Sequence, residues 1–256
     1  MRTKEIILAA HIDGVKADKS SGLEHWPILM KIINIDENII FPVALNTNIG
    51  KPSNLEDYFR EFVAELDQLS TNGLSIHGNV YKIKLIRILG DAPARCFFLN
   101  TIQQNGKQSC LYCDVKGEWV RHRVHFYISE EVRSGHTERT EEEFYQVKYH
   151  PLQHGRTPLM DIQDFNILLG CPYDPMHVLF NGIMDRLLEF LVHVDENKER
   201  AAESMLYKLK PSTIEVISDH LLSLKDHVPV EFQRKTAPSK KCKSSCCTLV
   251  SFREPL

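Results

Sequence analysis

The order of apolar runs in the first third of the chain constrains its fold more than any other feature. Ile6-Ile-Leu-Ala-Ala-His-Ile-Asp13 is apolar and then abruptly acidic, which reads as a buried strand ending at a carboxylate. Trp26 to Ile33 and Ile39 to Leu45 are two further β-prone runs separated by polar turns. Three strands in quick succession make an antiparallel meander. Ser53 to Asn72 then reads as a helix. Ser53-x-x-Glu56 has the form of a capping box, and Gly73 supplies the stop. Leu55, Tyr58, Phe59, Phe62, Val63, Leu66 and Leu69 recur on one helical face, which should pack on a sheet. Val80 to Leu89 alternates and is β-branched, a fourth strand closed by Gly90-Asp91. Ala92 to Gln104 reads as a second helix with Pro93 in its first turn. This β-β-β-α-β-α order predicts an α/β fold with a mixed sheet flanked by helices, because strand, crossover helix and strand form a right-handed unit with parallel strands. If the first and fourth strands are neighbours, Asp13 and Asp91 sit side by side.

The remainder is less regular. Lys107 to Trp119 is a polar knuckle with two cysteines, Val124 to Ile128 a possible fifth strand, and Glu130 to Glu143 a charged, exposed stretch. Tyr149 to Pro158 is rich in His, Pro and Gly. Asp174-Pro175 opens a helix whose Met176, Leu179, Phe180, Ile183, Leu187, Phe190 and Leu191 should form its buried side. Residues 199–208 and 212–225 complete a helical C-terminal segment, divided by Pro211. The reading divides the chain into a core over residues 1–235, with an insertion at about 107–158, and a disordered basic, cysteine-containing tail over 236–256. The formal charge of −3 excludes a uniformly basic nucleic-acid binder while leaving room for a local basic surface. No apolar run approaches the roughly 18 residues of a membrane span. Seven cysteines in 256 residues, an odd and sparse set, point to a reducing interior rather than a disulfide scaffold.

Two groups of residues carry chemistry. Asp13 and Asp91 each follow an apolar strand of one β-α-β unit. Carboxylates in that arrangement repel unless a cation sits between them, which is what a divalent-metal phosphoryl-transfer site needs. The plainer alternative is that each Asp only opens a turn. Asp174 is the third candidate, and its plainer role is an N-cap ahead of Pro175. The second group is Cys110-Leu-Tyr-Cys113, with the spacing of a zinc knuckle, and His150-Pro-Leu-Gln-His154. Together they supply a Cys2His2 set, against the alternative of a thiol pair and solvated histidines.

These blocks resemble a known family. Asp13-Gly-Val followed by Lys19-Ser-Ser-Gly-Leu-Glu-His-Trp-Pro-Ile-Leu29 is similar to a signature of CACTA-like (En/Spm-type) transposases and their animal relatives. Gly50-Lys-Pro-Ser-Asn-Leu, Asp91-Ala-Pro-Ala-Arg95, Cys110-x-x-Cys113 with Gly117-Glu-Trp, and Tyr173-Asp-Pro-Met-His177 with Gly182-Ile-Met arrive in that family's order, over roughly residues 5 to 235. The resemblance implies a ribonuclease-H-like core of the three-acid (DDE/D) kind. Asp13, Asp91 and Asp174 would be its catalytic acids, holding Mg²⁺ or Mn²⁺. Cys110, Cys113, His150 and His154 would share a structural Zn²⁺. The implied activity is cleavage and strand transfer at transposon ends in the nucleus, with DNA as partner, possible self-association and no membrane. The chain starts almost at the first catalytic strand and stops after a Lys/Ser/Cys tail, so the expectation is a truncated or decayed transposase. The alternative is a domesticated, non-catalytic remnant that binds DNA or protein.

Overall fold

In a computed structural model of the chain, the described residues are 5–17, 22–35, 39–120, 122–127, 135–192 and 208–223. They fall into two compact units, Met1–Asp174 and Pro175–Leu256.

The first unit is built on a six-stranded mixed sheet. Its strands are β1 (Glu5–Ile12), β2 (Val15–Lys16), β3 (Leu23–Ile32), β4 (Ile40–Ile49), β5 (Leu74–Ile76) and β6 (Asn79–Leu89). The order is β2-β3-β1-β6-β5, with β4 also paired to β3. β1, β3 and β4 form the expected antiparallel meander. β6 returns parallel to β1, from Glu5↔Lys82 to His11↔Leu89. The sequence reading contains neither the two-residue β2 nor β5, which closes a hairpin onto β6.

One face of the sheet is the core. Leu8, Ala10 and Ile12 lie beside Ile28 and Met30 of β3 and beside Ile83, Leu85 and Ile88 of β6, all buried. The apolar positions of β6 change parity between 85 and 88 because the register shifts there, leaving Ile86 as an extra residue. The bulge thus keeps one row facing inward.

Helix α1 (Leu55–Asn72) covers this face with Tyr58, Phe59, Phe62 and Leu66, while Leu55, Val63 and Leu69 are partly buried. The predicted stripe is therefore the packed one. The cap differs by one residue: Asn54, not Ser53, accepts from the amides of Glu56 (2.9 Å) and Asp57 (3.3 Å). Gly73 ends the helix at φ 71°, donating to the Leu69 carbonyl.

Helix α2 (Ala92–Phe98) is shorter than the sequence suggests. Asn100 takes a left-handed φ of 54°, and Thr101 then bridges to Gln153, so the backbone leaves the helix to pair with the insertion. β7 (Glu118–Val120) and β8 (Arg123–His125) form a small hairpin where one strand was expected. α3 (Glu141–Tyr145) inserts the fully buried Phe144, and a 3₁₀ turn (Pro158–Asp161) and α4 (Ile167–Gly170) complete the unit.

In the second unit, Met176–Met184 is wound as a π-helix running into α5 (Asp185–Val192), and α6 (Pro211–Ser223) follows. Met176, Leu179, Ile183 and Leu187 are exposed rather than buried. The stripe assumes 3.6 residues per turn throughout, and the wider i→i+5 winding of Met176–Met184 rotates Met176, Leu179 and Ile183 apart, while Leu187 lies in α5 beyond it. The side chains of Phe180 and Phe190, residues 199–207, 224–225 and the whole tail lie outside the described residues. No described helix is long and apolar enough to cross a membrane.

Candidate functional site

The carboxylates come from the sheet. His11 of β1 pairs with Leu89 of β6, and Asp13 and Asp91 each stand two residues beyond that pair on parallel neighbours. Neighbouring strands run about 4.8 Å apart, so the two acids leave the same end of the sheet side by side. Gly90 makes the approach possible. A Cβ placed on it would lie 2.7 Å from the Ile12 carbonyl oxygen and 2.9 Å from the Phe98 ring. Both acids are half-buried. Asp13 accepts from the Gly14 amide at 2.7 Å. Asp91 caps α2, accepting from the Ala94 amide at 2.7 Å, where the helix N-terminus favours its negative charge.

Asp174 is half-buried at the end of the first unit. The chain that leads to it is held onto α2 by a residue the sequence reading passed over. Arg95, one turn after Asp91, is 5% exposed. Its Nε donates to the Cys171 carbonyl at 2.8 Å, and its guanidinium lies 4.0 Å from the Tyr173 ring centre and 5.7 Å from that of Tyr112. The two tyrosines meet edge to face at 5.6 Å. No carboxylate pairs with Arg95 among the described residues, and its buried Nη2 has no hydrogen-bond partner. Burial pushes the enclosed Cys171 thiol up to about 12, with the Arg95 charge opposing the rise. Tyr112 is likewise raised by burial and partly restored by Arg95.

The knuckle is organised by a second arginine. The Cys110 and Cys113 sulfurs are 3.3 Å apart and half-buried, with burial raising the Cys113 thiol first and Cys110 beside it raising it further. Arg139 Nε donates to both of their carbonyls at 3.1 Å, and its guanidinium lies 4.5 Å from the Tyr149 ring centre. Asp114 receives the Thr137 amide at 2.8 Å, and the Arg139 amide donates to the Tyr112 carbonyl. The charged excursion is therefore closed at its base by protein contacts. His150 and His154 are both exposed, flanking the buried Leu152 and Gln153.

Among the described residues, no three His, Cys, Asp or Glu side chains group so that they could hold a metal ion. The structure thus pairs the strands that lead to Asp13 and Asp91, brings Cys110 beside Cys113, and, among the described residues, assembles neither the three-acid set nor the Cys2His2 set. A cleft of about 270 Å³ lined by Lys82, Lys84, Gln163 and Asp164 lies toward the opposite end of β6 from the acids. No family model and no curated protein matches the chain.

Proposed function

We propose that the chain is a transposase-derived domain of the ribonuclease-H-like kind, in which Asp13 and Asp91 present a divalent cation to a DNA phosphodiester. The observation that carries this reading is the parallel pairing of β1 with β6 up to His11 and Leu89, with one carboxylate two residues beyond each member of that last pair. The antiparallel meander, the crossover helix and the parallel fourth strand are the order such a core needs, and they support the fold assignment. Bound Mg²⁺ or Mn²⁺ would stabilise the charge developing on the phosphodiester and activate the attacking hydroxyl. The chain's own part is to fix two carboxylates on rigid strands. The helix cap engages one Asp91 oxygen, so the second is available to a cation. The reading requires Asp174 to join them when cation and DNA are bound. It also assigns zinc to the Cys110–Cys113 pair, whose sulfurs supply half of a tetrahedral set; His150 and His154 do not complete it in this arrangement.

A second reading, a non-catalytic DNA- or protein-binding domain, is favoured by one observation: Asp91 already has a structural task as a cap, and no three-acid group is assembled. Mn²⁺ titration of the purified chain separates the two. The first reading expects Mn²⁺ binding that is lost in Asp13→Asn and in Asp91→Asn, with weak Mn²⁺-dependent nicking of DNA. Mn²⁺ binding indifferent to both substitutions overturns it. DNA binding with no Mn²⁺ uptake supports the second.

A further inference from the structure

We propose that Arg95 is the positioning residue of this site. It is a buried cation that holds both the segment leading to Asp174 and the cysteine knuckle against the helix capped by Asp91. The inference rests on the proposed function for its consequence, and on geometry for its substance.

Arg95 is the only charged side chain among the buried described residues. A charge taken out of water without a counter-charge is costly, so its surroundings must compensate. They do so in part, through three contacts from two distant segments, while the buried Nη2 has no hydrogen-bond partner. The Cys171 carbonyl, 76 positions away, accepts from Nε. The rings of Tyr173 and Tyr112 offer their faces, the tyrosine before Asp174 and the residue between Leu111 and Cys113. An apolar side chain would fill the volume more cheaply, but it could engage neither a carbonyl nor the electron-rich faces of two rings. Arg95 lies four residues after Asp91, one helical turn, so whatever it holds is held next to Asp91. Each of the three candidate elements (the capping acid, the cysteine knuckle and the third acid) is thereby referred to one guanidinium.

The test compares Arg95→Lys with Arg95→Met in the full chain. Lysine keeps a charge, a donor and the ability to sit over a ring; methionine keeps only bulk. Amide hydrogen exchange is followed over residues 108–114 and 170–174, alongside Mn²⁺ affinity and melting temperature. Arg95→Met is expected to raise exchange in both segments. It is also expected to weaken Mn²⁺ binding by about 10–100-fold, the usual cost of removing a group that orients a metal ligand. Arg95→Lys should recover most of both. Equal behaviour of the two variants, or Arg95→Met with exchange unchanged in both segments, overturns the proposal, since bulk alone would then suffice. If Arg95→Met does not fold, Tyr173→Leu decides: it removes the half-buried ring nearest the cation, and unchanged exchange over 170–174 also overturns the proposal. If the unmodified chain takes up no Mn²⁺, the proposed function falls, and the positioning role still stands or falls on the exchange data.

Discussion

Gly90→Ala tests whether the two acid-bearing strand ends are as close as the site requires. The added Cβ would meet the Ile12 carbonyl oxygen at 2.7 Å, the Phe98 ring at 2.9 Å and the Ala94 Cβ at 3.3 Å. An ordinary carbon–oxygen contact is about 3.3 Å or more, so β1 and β6 must part by roughly half an ångström. Neither neighbour can give way easily. One is a main-chain carbonyl on a paired strand, and the other is a phenyl ring with no solvent exposure. Forcing an extra methyl into a packed interior costs about 1–3 kcal/mol. For a domain of this size, about 2 kcal/mol lowers the melting temperature by roughly 4–8 °C. Thermal unfolding followed by circular dichroism reads this directly, and Mn²⁺ uptake should weaken in parallel. Gly155→Ala is the control: its nearest neighbour would be the Asn100 Nδ2 at 3.4 Å, an ordinary contact, and it should stay within about 0.5 kcal/mol. A Gly90→Ala variant that melts with the parent would refute the close approach, and with it the adjacency of Asp13 and Asp91.

Three further outcomes follow. Asp91→Asn keeps an oxygen for the Ala94 amide and should leave stability nearly unchanged, whereas Asp91→Ala loses the cap and should cost about 1 kcal/mol in denaturant unfolding; equal costs would show that the cap contributes nothing. Cys171 stays protonated in the folded chain up to about pH 12, while the unfolded chain ionises from about pH 8.5. Its stabilisation is thus complete below about pH 8.5 and is lost as pH rises above it, by up to about 1.4 kcal/mol per pH unit; Cys171→Ala should flatten the stability profile between about pH 9 and 10 by that amount. Metal analysis of the purified chain should give about one zinc, absent in Cys113→Ser; a zinc-free chain with unchanged melting temperature would leave the knuckle to Arg139 and its hydrogen bonds alone.

What was legible in the sequence was whatever depends on neighbours along the chain. Phe59, Phe62 and Leu66 announce their face by spacing, Gly73 by the conformation it permits, and the strands by β-branched alternation. The parallel pairing of the two strands that lead to Asp13 and Asp91 was also legible, because a crossover helix between two strands leaves few topologies. Asn54 in place of Ser53 is a choice between two adjacent caps that differ little in energy, so composition alone could not make it. The π-helical winding after Pro175 was out of reach for a different reason: a stripe counted at one period gives no warning that the backbone will adopt another.

The arginines show where such reading stops. Arg95 and Arg139 look alike in sequence to Arg60, which sits on the surface and pairs with Asp57 three positions earlier. What sets them apart is their partners: the carbonyl of Cys171 for one, those of Cys110 and Cys113 for the other, at separations of 76, 29 and 26 positions. Both also lie over tyrosine rings, Tyr173 for Arg95 and Tyr149 for Arg139. A carbonyl contributes no letter to the sequence, so a guanidinium that binds one leaves no pairing pattern to find. The available signal was positional. Arg95 falls one helical turn after Asp91, and Arg139 falls inside a charged stretch with few apolar residues to close it. In an irregular segment with few apolar residues, the groups that hold the chain in place should be sought among its cations as well, even those with an acid at helical spacing, because main-chain oxygens and aromatic faces can be their partners instead.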